Sequence, residues 1–262
     1  MQRLPLLMLL LLPLLQLPRA LAAQAPAISG IAYKQKLGNV LPRQLLFQES
    51  TGRTVRLESL GAGKPLVLVL GYFHCPRLCS VVRASLLEAI SASGLSAGRD
   101  YSLAALSIDS TETSTDAARA KAEDLTRFPL PGAEENWHFL VGEPAAVHAL
   151  SDAVGFRARP DPQRDTFIHP AGVVFLTPDA RVSSYLLGAG YRPEDVRLAI
   201  ARASIGGISA TPSPVLLLCF DYDPATGRYT PAIMKILRLA AAITVVALAG
   251  LILHARLREK RA

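Results

Sequence analysis

The alternation of short apolar runs with amphipathic segments between residues 66 and 204 constrains the fold most strongly. The runs LVLVLGY, SLAALSID and WHFLVG have strand length, and each leads into a segment with helical periodicity. The stretch GVVFLTPDARVSSYLLG predicts a hairpin between Gly172 and Gly188, and RPEDVRLAIARAS predicts a last helix. Strands that alternate with helices and finish in a hairpin predict an α/β domain with a mixed central sheet.

The ends of two helices can be read from the sequence. Thr113 or Ser114 is a plausible cap for the helix in STDAARAKAEDLTRF. A shorter helix begins at Pro144 and is closed by Gly155. The order of these elements predicts a thioredoxin-like fold over residues 24–205.

Basic residues are concentrated at the two ends of the 262-residue chain, whose formal charge is +7. Arg3 and Arg19 contribute +2, and residues 235–262 contribute +5, because six basic residues there outweigh Glu259. The stretch between them is neutral. The net charge therefore indicates membrane topology, and we expect no nucleic-acid partner.

The N-terminal segment, residues 1–23, has a charged start, a leucine-rich run and small residues at its end. This pattern predicts a secretory signal peptide that is cleaved near Ala22 or Ala23. The alternative is an uncleaved membrane anchor. Either interpretation predicts that the following domain is exported.

The C-terminal segment contains a long apolar stretch that predicts one transmembrane helix over residues 233–255. The basic residues that follow, in the tail 256–262, are typical of the cytoplasmic side, which argues against a buried core helix. Residues 206–232 form a linker and a juxtamembrane extension. The extension contains Cys219, which predicts an accessory metal or docking site, or else a segment VLLLC that packs as an extra strand or on the lipid surface.

The other two cysteines lie four residues apart in GYFHCPRLCSVV, directly after the first apolar run. If Cys79 lies on a helix that starts near Pro76, its spacing from Cys75 places both sulfurs on one face. The helix N-terminus and Arg77 would favour thiolates. A disulfide between residues so close restrains little chain entropy. The pair therefore indicates reactive sulfur, either a site for copper(I) or zinc or a redox dithiol.

A metal site would need a third ligand from elsewhere, and the chain has five histidines. His254 lies beyond the predicted membrane segment, His148 has the polar neighbours of a surface residue, and His138 is typical of a packed one. Strand alternation would turn His74 away from the sulfurs. His169 ends a polar loop before a core strand and could reach the start of the helix, but the pattern leaves its role as a ligand open.

Four stretches occur in an order that resembles the landmarks of the Sco (SenC-type) family of copper-handling, thioredoxin-like proteins. They are FHCPRLCSVV, SIDSTETSTDAARAKAEDLTRF, WHFLVG and DTFIHPAGVVFLTPDARV. The likeness covers about residues 30–204. The C-terminal anchor and the extension CFDYDPATGRY resemble a subgroup of this family.

The resemblance implies a membrane-anchored metallochaperone that binds a copper ion. Cys75, Cys79 and His169 match the family's copper ligands, and the two cysteines also form its redox dithiol. Asp109 and Asp165 match acidic positions that would support the ligands from outside the ligand set or stabilise the local structure. The implied partners are the cytochrome c oxidase subunit that carries the dinuclear copper centre and a periplasmic copper donor protein. The implied location is the bacterial cytoplasmic membrane, with a single pass and the functional domain in the periplasm.

Two alternatives remain open at this stage. Ser80 follows the second cysteine where the family usually has proline, and Pro170 follows His169. Thioredoxin-like enzymes place a cis-proline loop opposite their redox cysteines. The His-Pro pair is therefore also compatible with a thiol-disulfide oxidoreductase or thiol peroxidase without a physiological metal. A redox or copper sensor that contacts a partner through residues 215–230 is the other alternative.

Overall fold

The computed structural model describes residues 31–74, 78–161 and 166–210, and also residues 222–223, 228–229, 241–245, 248–250, 252, 256 and 257. The elements in chain order are β1 Ala32–Tyr33, β2 Leu46–Glu49, β3 Thr54–Arg56, α1 Leu57–Leu60, β4 Leu66–Gly71, α2 Leu78–Ser93, β5 Ser102–Ser107, α3 Ser114–Arg127, α4 Ala133–Asn136, β6 Trp137–Val141, α5 Pro144–Ala153, β7 Phe156–Arg157, β8 Arg159–Asp161, β9 Thr166–Ile168, β10 Gly172–Leu176, β11 Val182–Leu187, α6 Pro193–Ser204, β12 Tyr222–Asp223 and β13 Arg228–Tyr229.

The centre of the described domain is a seven-stranded sheet with the order β11-β10-β4-β5-β6-β2-β3. Strands β4, β5 and β6 are parallel, as expected for strands joined by crossover helices. Strands β10 and β11 form the predicted antiparallel hairpin, and β10 pairs antiparallel with β4. The predicted α/β class with a mixed sheet is therefore confirmed.

Both faces of the sheet are covered, which explains why its central strands are mostly apolar and buried along their whole length. Every residue of β4, β5 and β10 is buried. Alternate residues of these strands face opposite sides. One side packs against α2, α3 and α6, and the other packs against α1, α5 and the segment around β1 and β2. Such a two-sided core is typical of sheets with a parallel centre.

The helix ends follow the local chemistry that the sequence indicates. The side chain of Thr113 accepts a hydrogen bond from the backbone N–H of Asp116, and the Asp116 carboxylate accepts one from the backbone N–H of Thr113. This capping box starts α3. Helix α5 begins at Pro144, and Gly155 follows its end with φ of 68°. A Cβ at Gly155 would lie 1.9 Å from the carbonyl oxygen of Lys34, so the position requires glycine.

The hairpin β2–β3 and the small strand pairs β1–β7 and β8–β9 were not predicted from the sequence. The hairpin adds two antiparallel strands to the edge formed by β6. The small pairs have strands of two or three residues. Segments this short carry too few positions for a periodicity to be recognised.

The predicted segments near the termini lie mostly outside the described residues. These are the signal peptide over residues 1–23, most of the extension with Cys219, and much of the predicted transmembrane segment over residues 233–255. Residues 241–245 and 248–250 are helical. In the part of the chain that the structure describes, no helix is both long and apolar enough to cross a membrane.

Candidate metal centre

Strand β4 leads directly to the cysteine motif. After its last residue the chain passes the buried Tyr72 and makes a turn at Phe73 and His74. Cys75 follows His74 but lies outside the described residues. Cys79 lies in α2, and its side chain is outside the described part as well. The predicted strand–turn–helix context of the motif is therefore confirmed up to His74 and from the start of α2.

The sheet register brings His169 to the same end of β4. Val69 of β4 pairs with Val173 of β10, and these strands are antiparallel, so the residues just before β10 lie beside those just after β4. The rings of Tyr72 and His169 are in edge contact, with centroids 5.9 Å apart. Since Tyr72 is three residues before Cys75, the fold brings His169 close to the start of the cysteine motif.

The surroundings of His169 favour the neutral form of its ring. It is buried, with 8% of its surface exposed, and its ring also packs against Phe156 at 5.9 Å. Its Nδ1 lies 3.0 Å from the carbonyl oxygen of Pro170. A carbonyl oxygen can only accept, so Nδ1 carries the proton and the lone pair of the neutral ring is on Nε2.

Burial lowers the pKa of His169 below its ordinary value of 6.5, and the hydrogen bond to Pro170 opposes this effect in part. A neutral imidazole that donates one N–H to a carbonyl is the arrangement commonly found in metal-binding histidines. Together with two thiolates it would make a soft donor set suited to copper. The residues present therefore fit the ion that the sequence resemblance implies.

The turn before Cys75 is held by Glu112, a residue for which no role was predicted from the sequence. The carboxylate of Glu112 accepts hydrogen bonds from the backbone N–H groups of Phe73 at 2.8 Å and of His74 at 2.6 Å. It also lies 2.9 Å from Nδ1 of the His74 ring. The Glu112 side chain is 1% exposed. No local sequence signal could have paired it with a turn almost forty residues earlier.

His74 was expected to follow strand alternation, but β4 ends at Gly71 and His74 lies in a turn, so this expectation was wrong in its premise. Its ring is directed instead by side chains of the loop before α3 and of α3 itself. Besides the contact with Glu112, Nε2 of His74 lies 2.7 Å from the Arg119 guanidinium and 3.2 Å from the Asp116 carboxylate.

The remaining histidines have the surroundings that the sequence indicated, where the structure describes them. His138 is packed, and its Nδ1 lies 2.6 Å from a carboxylate oxygen of Glu49. The side chain of His148 is 78% exposed, as predicted for a surface residue. His254 lies outside the described residues.

The predicted acidic residues differ in what the structure describes of them. Asp109 accepts hydrogen bonds from the backbone N–H of Thr111 at 2.9 Å and from its hydroxyl at 2.7 Å. This orders the loop between β5 and α3, so Asp109 has a structural role there. Asp165 and Cys219 lie outside the described residues. Within the described part of the chain, no three residues of the types His, Cys, Asp and Glu are grouped so that they could hold a metal ion.

The peptide bond between His169 and Pro170 is trans, since the described residues contain no cis peptide bond. The cis-proline loop that the sequence left open is therefore not present at this position. Beside the site, an open cleft of about 300 Å³ is lined in part by Ile108, Phe156 and Phe167. Two of these lining residues also pack against the site, because Phe167 contacts Tyr72 and Phe156 contacts His169.

Comparison with known families agrees with this arrangement. A family model described as SCO1/SenC matches residues 40–203, which is more than half of the chain. The chain belongs to the SCO1/SenC family. The matched range includes the CxxxC motif, Glu112 and His169, and it ends within α6. No curated protein matches the chain.

Solved structures with a similar fold include members of the Sco family. A candidate electron transfer protein from Aquifex aeolicus VF5 is 28% identical with a TM-score of 0.58, and the match covers 66% of this chain and 96% of that one. Arabidopsis thaliana ScoI, solved with copper bound, is 16% identical with a TM-score of 0.51, and the match covers 65% of this chain and 99% of that one.

BsSco, a member of the Sco family of cytochrome c oxidase assembly proteins in which a disulfide switch was identified, is 20% identical with a TM-score of 0.50. The match covers 66% of this chain and 98% of BsSco. At these identities ScoI and BsSco support the fold alone. The predicted thioredoxin-like arrangement of the SCO1/SenC domain is confirmed.

Proposed function

We propose that this SCO1/SenC protein is a copper metallochaperone that serves the dinuclear copper centre of cytochrome c oxidase. Copper is its cargo. The protein either delivers copper to the oxidase subunit or reduces the cysteines of that subunit so that copper can bind there. The ligands are Cys75, Cys79 and His169. Asp165, shortly before His169, supports the site from outside the ligand set. A periplasmic copper donor protein supplies the copper ion to this site.

One observation carries this proposal. The buried imidazole of His169 contacts Tyr72, three residues before Cys75, and its Nδ1–H donates to the carbonyl oxygen of Pro170. A neutral histidine held in this tautomer would supply one nitrogen donor, and the two cysteines would supply two soft sulfur donors. Membership of a family with copper-bound structures supports the choice of copper.

The two cysteines would also gate the cargo. As thiolates they bind copper(I), whereas oxidation joins the two thiolate sulfurs in a disulfide and transfers two electrons to an oxidant. The disulfide has no thiolate left to bind the ion. The dithiol can likewise pass its two electrons to a disulfide of the target subunit, which then becomes able to accept copper.

We further propose that the domain is exported by residues 1–23 and tethered to the outer face of the cytoplasmic membrane by residues 233–255, with the tail 256–262 inside. The tether would raise the effective concentration of the site near an oxidase subunit in the same membrane. Cys219, in the extension before the anchor, is proposed as an accessory docking or metal residue. Alkaline phosphatase fused after residue 230 should be active in the periplasm, and inactivity would contradict this topology.

The proposed copper site is tested by titrating copper(I) into reduced protein, residues 24–230, against a competing chelator. We expect one tightly bound ion, which is lost in Cys75→Ser and in Cys79→Ser. His169→Ala should weaken binding by more than about 100-fold, since losing even a residue that only supports a ligand costs about 10- to 100-fold. His148→Ala, at an exposed histidine, is the matched control and should bind normally.

Weak copper binding by the wild type, or binding that does not depend on His169, would contradict the chaperone proposal. The cysteine pair would then be assigned to thiol-disulfide exchange. In that case His169→Ala should retain reductase or peroxidase activity, and either cysteine variant should lose it.

A further inference from the structure

The turn at Phe73 and His74 is fixed by one buried carboxylate that comes from a different part of the chain. Both oxygens of Glu112 accept backbone N–H groups of this turn, and one of them also faces the His74 ring. Hydrogen bonds to an ionised acceptor are about twice as strong as those between neutral groups. The two backbone amides therefore hold the turn in one orientation.

Glu112 is itself anchored on both sides. Its backbone N–H donates to the carbonyl of Asp109 at 3.3 Å, and the Asp109 side chain orders the intervening loop through Thr111. The next residue, Thr113, caps α3 through a reciprocal pair of hydrogen bonds with Asp116. The carboxylate thus projects from a rigid loop at the C-terminal end of β5.

We propose that Glu112 is a positioning residue for the cysteine pair. Cys75 directly follows His74, and consecutive Cα atoms are about 3.8 Å apart, so fixing the His74 backbone fixes where the chain of Cys75 begins. A ligand held in place before binding loses less conformational entropy when it binds. This inference rests on the proposed role of Cys75 and Cys79 and adds a residue outside the ligand set to it.

A second buried carboxylate provides a matched control. Glu49 also pairs with a histidine, at 2.6 Å from Nδ1 of His138, and its side chain is 8% exposed. It lies on β2, and strands β5 and β6 separate β2 from β4 in the sheet. Glu49→Gln therefore also removes a buried carboxylate that pairs with a histidine, but on a strand that does not neighbour β4.

The first test needs no copper. Metal-free wild type, Glu112→Gln and Glu49→Gln are equilibrated with mixtures of reduced and oxidised dithiothreitol, and the Cys75–Cys79 disulfide is quantified. When it forms, two thiols give two protons and two electrons to oxidised dithiothreitol, which becomes the dithiol. We expect Glu112→Gln to lower the equilibrium constant for this disulfide by about tenfold, which corresponds to about 30 mV, because the two sulfurs meet less often. Glu49→Gln should leave it unchanged.

The second test is copper(I) affinity against a competing chelator, with unfolding midpoints measured in parallel. Glu112→Gln should still bind one ion, about tenfold more weakly, as expected for a residue that supports a ligand. His74→Ala keeps both backbone hydrogen bonds to Glu112 and should lose much less. If wild type binds no copper, the proposed function fails, while the disulfide equilibrium still decides the role of Glu112.

A third measurement uses the wild type only. The amide hydrogens of Phe73 and His74 should exchange with solvent much more slowly than expected for an exposed turn, since both donate to a buried carboxylate. Rapid exchange at both amides would refute the proposal. An unchanged disulfide equilibrium and copper affinity in folded Glu112→Gln would refute it as well, as would equal effects of Glu49→Gln.

Discussion

His169 is buried, and a hydrogen bond sets the tautomer of its ring. Its ring is buried between Tyr72 and Phe156, and one of its nitrogens already donates to a carbonyl. Burial keeps the ring neutral, and the hydrogen bond selects the tautomer. Both effects suit Nε2 to its proposed role as a copper ligand, and burial also makes protonation unfavourable in the folded protein.

The stability of the metal-free protein should therefore depend on His169 below neutral pH. The pKa of His169 is lowered in the folded state, so the unfolded chain binds the proton first as the pH falls through about 6.5. The free energy of unfolding should decrease from pH 7 towards pH 5 and level off below the folded-state pKa. In His169→Gln this decrease should be smaller. Urea unfolding at a series of pH values measures both.

The matched control for this pH dependence is His148→Gln, because His148 lies on the surface. Its profile should follow the wild type. If His169→Gln retains the full decrease between pH 7 and pH 5, other groups cause it and burial of His169 does not.

Helix α2, which carries Cys79, is tied to α3 by a buried ion pair. The Arg83 guanidinium donates to both carboxylate oxygens of Asp124, and the two side chains are 7% and 10% exposed. The guanidinium also lies 6.0 Å from the ring centroid of Phe73 and 5.6 Å from that of Phe139. This pair therefore connects α2, α3 and the turn before Cys75.

Removing one partner of this pair should be far more costly than removing both. Asp124→Ala leaves a buried guanidinium without a counter-charge and should lower the free energy of unfolding by about 3–5 kcal/mol. The double variant Arg83→Met/Asp124→Leu should recover most of this loss, since apolar residues of similar volume replace the pair. Arg43→Ala, in an exposed pair with Glu58, should cost only about 0–1 kcal/mol. A double variant as unstable as Asp124→Ala would contradict this assignment.

At the scale of the whole molecule, the proposed copper site joins two distant parts of the chain. Cys75 follows β4 in the sequence and Cys79 lies in α2, whereas His169 precedes β10, which pairs with β4 in the sheet. An ion that binds only the folded state stabilises it by about 2.7 kcal/mol at a free concentration of 100 Kd. Loading should therefore raise the stability of the domain.

Buffered copper(I) should raise the Tm of the reduced protein by roughly 5–10 °C, as expected for such a stabilisation in a domain of this size. Removing the ion with a chelator should reverse the shift. Cys75→Ser and the oxidised wild type should show no shift, and calorimetry at fixed free copper measures all three. A shift that persists in Cys75→Ser would place the binding site elsewhere.

Much of the fold was predictable from local pattern. The apolar runs of β4, β5 and β6, the hairpin β10–β11 and the ends of α3 and α5 were all indicated correctly, because period, capping and turn chemistry act over a few residues. The short edge strands were missed because they have no recognisable period. The cysteine motif was predicted as a reactive site from its residue types and position, and His169 was predicted as a ligand from the resemblance to the Sco family.

The sequence by itself determined the α/β class and the strand–turn–helix context of Cys75 and Cys79, while the resemblance to the Sco family predicted His169 as the third ligand. Only the tertiary structure decided that Tyr72 contacts His169, that Glu112 holds the turn before Cys75, and that Arg83 pairs with Asp124. Each of these contacts joins residues far apart in the chain. Such pairings depend on sheet register and helix packing, which local propensities do not specify.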